Sequence, residues 1–157
     1  MTDTINFVLL DGKKYFHHPT GGGLVAETAK VAETAFVGPN AFVKDEAQVL
    51  DEARIEDRAI VSGKAIVKDK AKVFSNARVF DNAQIFGSAQ VFGSAQIFDT
   101  ACITNSARVS GNSQVSGDAR IFDNAWVAGN TQVSGNAGVS GHTQVFAGVI
   151  REGKIEK

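Results

Sequence analysis

From Val25 to Val145 every sixth residue is Val or Ile, through twenty-one consecutive units without a gap. Self-similarity at a short fixed period marks a solenoid, and no other feature of the chain restricts its fold as strongly. Four positions after each aliphatic stands a small residue. It is Ala at all fourteen positions from Ala29 to Ala107, then mostly Ala, with Ser113, Thr131, Thr143 and finally Val149. In a unit such as V-F-D-N-A-Q, pleated backbone places the Ala and the following Val on one side and their neighbours on the other. The two remaining positions are rich in Asp, Gly, Asn and Ser, which supply turn conformations. A strand of about four residues followed by a turn of about two makes neither a helix nor a long hairpin.

Three such units close a triangular coil of eighteen residues. Successive coils then lie about 4.8 Å apart, and seven of them make a rod on the order of 34 Å long. Val and Ile stack inside in columns, with Ala in the narrow space near the corners. Each buried aliphatic contributes roughly 1.5–3 kcal/mol before conformational entropy is subtracted. The eighteen-residue register places Glu46 over Lys64, Glu52 over Lys70, Phe74 over Phe92 and Phe80 over Phe98. All four are favourable cross-strand pairs. Arg54 over Lys72 and Asp81 over Asp99 run against the pattern.

The units V-K-D-E-A-Q, V-F-D-N-A-Q, I-F-G-S-A-Q and V-S-G-D-A-R fit [LIV]-[GAED]-x-x-[STAV]-x over about four fifths of the chain. In this the chain resembles the hexapeptide-repeat left-handed β-helix superfamily. The resemblance implies an all-β, single-stranded left-handed parallel β-helix. Generic physics prefers right-handed crossovers between parallel strands, so the handedness comes from the resemblance alone. The segment HHPTGGGLVAETAKVAETAFVGPNAFV also resembles the start of uncharacterised bacterial and phage hexapeptide proteins, many of which carry an acyltransferase label.

A β-helix exposes strand edges at both ends and needs caps. Ile5–Leu10, Asp11-Gly12 and Lys13–His17 read as a hairpin, and residues 18–23 as a Gly-rich turn. The expected organisation is a cap over residues 1–23, the solenoid over 24–150 and a C-terminal cap over 151–157. Within the last part, Val149–Ile155 reads as a closing strand or hairpin arm. Gly21-Gly22-Gly23 lacks the G-K-[ST] ending of a phosphate loop and is read as a turn.

With sixteen Lys and Arg against seventeen Asp and Glu, no net charge draws the chain to nucleic acid or to an anionic membrane. The N-terminal apolar run is too short for a signal peptide or a membrane span, and the single Cys102 cannot form an internal disulfide. A cytoplasmic protein is expected, with no metal and no membrane or nucleic-acid partner.

Enzymes of the superfamily imply a trimer, a CoA thioester and a catalytic His between subunits, often with loops protruding from the coils. Here the hexads run without an inserted residue, so no such loop exists. His142, in V-S-G-H-T-Q, occupies a turn where neighbouring units have Asn112, Asn124, Asn130 and Asn136. It is the base only if the chain is an acyltransferase, since no orienting partner is visible in the sequence. His17 and His18 read as cap residues, far along the rod from His142, which argues against a three-His zinc site. Outward Gln-x-Ser, Gln-x-Phe and Arg-x-Phe pairs do not resemble the Thr-x-Thr ladders of ice-binding helices.

Aromatic residues are the remaining signal. Phe36, Phe74, Phe92, Trp126 and Phe146 group on one face, Phe42, Phe80 and Phe98 on a second, and Phe86 and Phe122 on the third. Rows of outward rings on a rod point to a partner. The expectation is therefore a non-catalytic, self-associating scaffold or binding module without cofactor. A homo-oligomer is expected, a trimer in particular, associating through the first face. A phage or prophage part, or a protein that sequesters a host molecule, would fit, with the CoA-dependent trimeric acyltransferase as the alternative.

Overall fold

The shape is set at the corners. Every sixth residue from Asp45 to Gly141, two places after an inward aliphatic, has a positive φ between 55° and 69°. In that region Cβ crowds the following carbonyl, so Gly enters freely and Asp or Asn enters with the help of local hydrogen bonds. The position accordingly holds Gly, Asp, Asn and a single Ser, Ser75. Each corner turns the chain out of one short strand and onto the next face.

The computed structural model describes residues 6–157, and among them every regular element is a strand. The strands stack into three sheets of ten, eight and seven members that enclose the core as a parallel β-solenoid. Pairing follows the eighteen-residue register: Val67 lies beside Val49 on one side and Ile85 on the other. The inward Val, Ile and Ala from Ala35 to Ala107 are at most 1 % exposed, in one continuous cluster. No helix among the described residues is long and apolar enough to cross a membrane.

The stacked side chains expected from this register are present. Phe74 and Phe92 stack with centroids 4.9 Å apart and planes 5° from parallel. Phe80 and Phe98 do so at 5.1 Å and 1°. Glu46 approaches Lys64 at 4.0 Å, whereas Glu52 and Lys70 form no ion pair among the described residues.

Both exceptions to the charge pattern have local solutions. Arg54 pairs in register with Lys72, but its guanidinium turns to Glu56 and lies 4.3 Å from the Phe36 ring centroid. Asp81 meets Asp99 through backbone: its Oδ2 accepts the Asp99 N–H at 3.3 Å. The same bond recurs from Asp45 to Gly63, Asp51 to Asp69, Asp57 to Ser75, Asp69 to Gly87, Asp99 to Gly117 and Asp123 to Gly141. Corner carboxylates thus tie each coil to the next, and like charges at adjacent levels are tolerated.

At the N-terminal end, β1 (Val8–Leu10) and β2 (Lys13–His17) form the expected hairpin about Asp11 and Gly12, while Ile5 lies outside the described residues. Strand β2 then pairs antiparallel with β3 (Leu24–Ala26), the first solenoid strand of the ten-stranded sheet, to which the hairpin also belongs. Tyr15, 4 % exposed, meets Phe42 edge-on at 6.4 Å and closes the core.

The other end departs from the strict hexad. Val149, expected in the small inward position, is 55 % exposed, and Ile150 instead pairs with Val133, seventeen residues earlier. Lys154–Glu156 closes the eight-stranded sheet in parallel, with Ile155 beside Val139, so no hairpin arm forms. Gly148, with φ of 107°, allows the shortened corner. A Cβ on Gly129, Gly135 or Gly141 would strike the backbone of the tightened coil at Phe146, Arg151 or Lys157.

Candidate functional site

The seven-stranded sheet carries all five residues expected at an interface, since Phe36 and Trp126 lie in its strands and Phe74, Phe92 and Phe146 directly follow them. Alternation divides its outward surface into two columns. Phe36 and Trp126 precede an inward Val, whereas Phe74, Phe92 and Phe146 follow one. The five therefore form three clusters and no continuous row. Phe36 is covered by Arg54, a cation–π contact. Phe74 and Phe92 cover each other and are half-buried.

The third cluster is open to solvent. Trp126 donates its indole N–H to Ser110 Oγ at 3.1 Å, and Phe146 stands edge-on against the indole at 5.3 Å. Phe146 is nevertheless 48 % exposed. Ala147, Gly148 and Val149 continue from it around the corner, all exposed. The shortened last coil produces this apolar corner, because it releases Val149 from the interior.

The histidines divide between the two ends. His17 donates from Nδ1 to the Gly22 carbonyl at 2.8 Å. Buried His18 accepts the Thr20 N–H at Nδ1, 3.3 Å away, and reaches the Ala32 carbonyl from Nε2 at 3.1 Å. The Nε2 contact needs a proton on that nitrogen, since a carbonyl oxygen only accepts. The Gly-rich segment folds between them, with Gly22 N–H donating to the His18 carbonyl and Gly23 N–H to the Val37 carbonyl. His142 is exposed at its corner. Its backbone N–H reaches the Lys157 carbonyl at 2.7 Å, and its ring makes no hydrogen bond among the described residues. No three His, Cys, Asp or Glu residues among those described converge to hold a metal ion.

A groove of about 980 Å³ runs along the eight-stranded sheet, bordered by Phe86, Thr104, Arg120 and Phe122. Sequence reasoning placed both phenylalanines on this face but did not single the groove out. The available signal was the small residue between them, Thr104, at a level where a third ring would complete the column.

Residues 113–130 match the family model described as YdcK beta solenoid repeat. This stretch is one eighteen-residue coil, contributing one strand to each sheet: Gln114–Val115, Arg120–Ile121 and Trp126–Val127. No curated protein and no solved structure matches the chain. The family match and the folded coils agree on a β-solenoid repeat scaffold.

Proposed function

We propose that the protein is a non-catalytic, self-associating β-solenoid that serves as a scaffold or binding module, copies meeting at the apolar corner of the last coil. The observation that carries this reading is Phe146, nearly half exposed although it packs against Trp126. The indole N–H already has its partner in Ser110, so the surface offered by the pair and by Ala147–Val149 is mostly apolar. A contiguous apolar patch of this kind is commonly an interaction surface. Closed cyclic symmetry lets each copy use the same patch without forming fibres, and the superfamily resemblance favours three copies.

Native mass spectrometry and light scattering over a concentration series test this. The expected result is a discrete oligomer for the natural chain and a monomer for Phe146→Ser. A chain that stays monomeric at about 100 μM, well above the micromolar dissociation constants of ordinary weak assemblies, would overturn it.

A further inference from the structure

On the eight-stranded sheet, the outward column that follows the inward aliphatics reads Lys68, Phe86, Thr104, Phe122 on four successive coils. Phe86 and Phe122 therefore stand two strand spacings apart, about 9.5 Å, with only the short Thr104 between them. Wherever two phenylalanines occupy adjacent levels of one column they stack flat, as Phe74 and Phe92 do at 4.9 Å and Phe80 and Phe98 at 5.1 Å. A planar ring at the level of Thr104 would meet Phe86 on one side and Phe122 on the other at that same spacing.

The outer faces of the two rings are occupied. Lys68 Nζ, from the preceding coil, lies 5.2 Å from the Phe86 centroid, and Lys154 Nζ, from the C-terminal side, 5.6 Å from that of Phe122. This leaves the inner faces, which look toward Thr104, available for stacking. Both rings and Thr104 border the 980 Å³ groove, which Cys102 and Gly138 also line. Charge in the groove is also sorted. Arg120 forms no ion pair among the described residues, whereas Lys154 is engaged by Glu156 at 2.5 Å and the Asp118 carboxylate accepts the Thr100 hydroxyl at 2.5 Å.

We propose that this groove binds a small planar aromatic anion, its ring between Phe86 and Phe122 over Thr104 and its anionic group at Arg120. The site lies on a different sheet from the apolar corner at Phe146 and does not depend on self-association.

The probe is 2-naphthoate, titrated into the full chain by calorimetry and proton NMR. The expected result is saturable binding with a Kd of about 0.1–1 mM, the naphthyl protons moving upfield in the ring currents of two phenyl groups. Thr104→Phe sets the chain's own ring at the intervening level and abolishes binding, with the circular dichroism of the solenoid retained. Phe122→Leu keeps the bulk but removes one stacking face, and weakens binding about threefold to tenfold. Arg120→Gln weakens it by a similar factor. Cyclohexanecarboxylate, which has the charge without the flat ring, binds at least about fivefold more weakly than 2-naphthoate.

The proposal is overturned if the natural chain shows no saturable binding. It is equally overturned if folded Thr104→Phe binds as the natural chain does, or if cyclohexanecarboxylate binds as tightly as 2-naphthoate. Should Thr104→Phe fail to fold, unchanged affinity in Phe122→Leu overturns it.

Discussion

Lys13 Nζ lies 3.0 Å from Asp45 Oδ1, so an ion pair joins the N-terminal hairpin to a corner of the solenoid thirty-two residues away. The other carboxylate oxygen of Asp45 accepts the Gly63 N–H at 3.2 Å and ties that corner to the next coil. One carboxylate thus links the cap, its own corner and the corner one coil further on.

Acid should loosen this link. The hydrogen bond from Lys13, followed by that from the Gly63 N–H, holds the Asp45 carboxyl below its ordinary value. Because the folded value is the lower one, the stabilisation is complete above the unfolded carboxylate range, near pH ~4, and is lost as pH falls through the folded value. Hydrogen exchange of Tyr15 and Phe16, corrected for intrinsic rates, should show protection falling below about pH 4. In Asp45→Asn the hairpin should be less protected already at neutral pH. Equal protection of the two chains at neutral pH would show that the ion pair does not hold the cap.

The interior should be intolerant in both directions. Ile85 and Ala83 are fully buried on neighbouring inward positions. Ile85→Ala leaves a cavity and should cost about 2–4 kcal/mol in denaturant unfolding. Ala83→Leu should cost about 1–3 kcal/mol or more, because the corner space is filled and the coil spacing is fixed by backbone bonds on both sides. A neutral Ala83→Leu would mean that the corners are looser than the structure shows.

Corner substitutions separate backbone conformation from side-chain chemistry. At Gly111, φ is +68° and a Cβ would lie 2.7 Å from the Gly129 nitrogen. Gly111→Ala should therefore cost at least about 1–2 kcal/mol, the conformational share alone. Ser75 holds a φ of 60° without being Gly, Asp or Asn. Ser75→Gly is expected to stabilise by about 0.5–1 kcal/mol, read as a higher unfolding midpoint.

Cys102 should be a slow thiol. Burial pushes its value up, opposed in part by the charge of Arg120. The thiolate is the reactive form, so labelling by a disulfide reagent at neutral pH should be slower than for a free cysteine and rise steeply with pH. Arg120→Ala should slow it further. If Cys102 labels as fast as glutathione at neutral pH, the thiol is more open to solvent than its half-buried position allows.

Much of this was legible because the period is short and unbroken. Residues eighteen apart had to become neighbours, so the Phe74–Phe92 and Phe80–Phe98 stacks and the three aromatic faces followed from counting. The candidate interface was legible only as a face. Period two along a strand separates Phe36 and Trp126 from Phe74, Phe92 and Phe146, and ring orientation depends on neighbours that counting does not rank. Arg54 sits in register with Lys72, and only the folded arrangement shows that its guanidinium turns instead to Phe36 and Glu56.

The sequence by itself determined the solenoid and, up to the last coil, its eighteen-residue register and inward columns, because an aliphatic at each sixth position repeats the same buried pairing from coil to coil. Tertiary structure decided the rest. The corner carboxylates bond backbone one coil away, so Asp81 over Asp99 is a link and not a conflict. The last coil tightens around Gly148 and sends Val149 outward. Phe86 and Phe122 acquire a gap between them because Thr104 is small and the coil spacing cannot shrink to close it. In each case the outcome rests on contacts between coils, whose geometry exists only once the backbone has been wound.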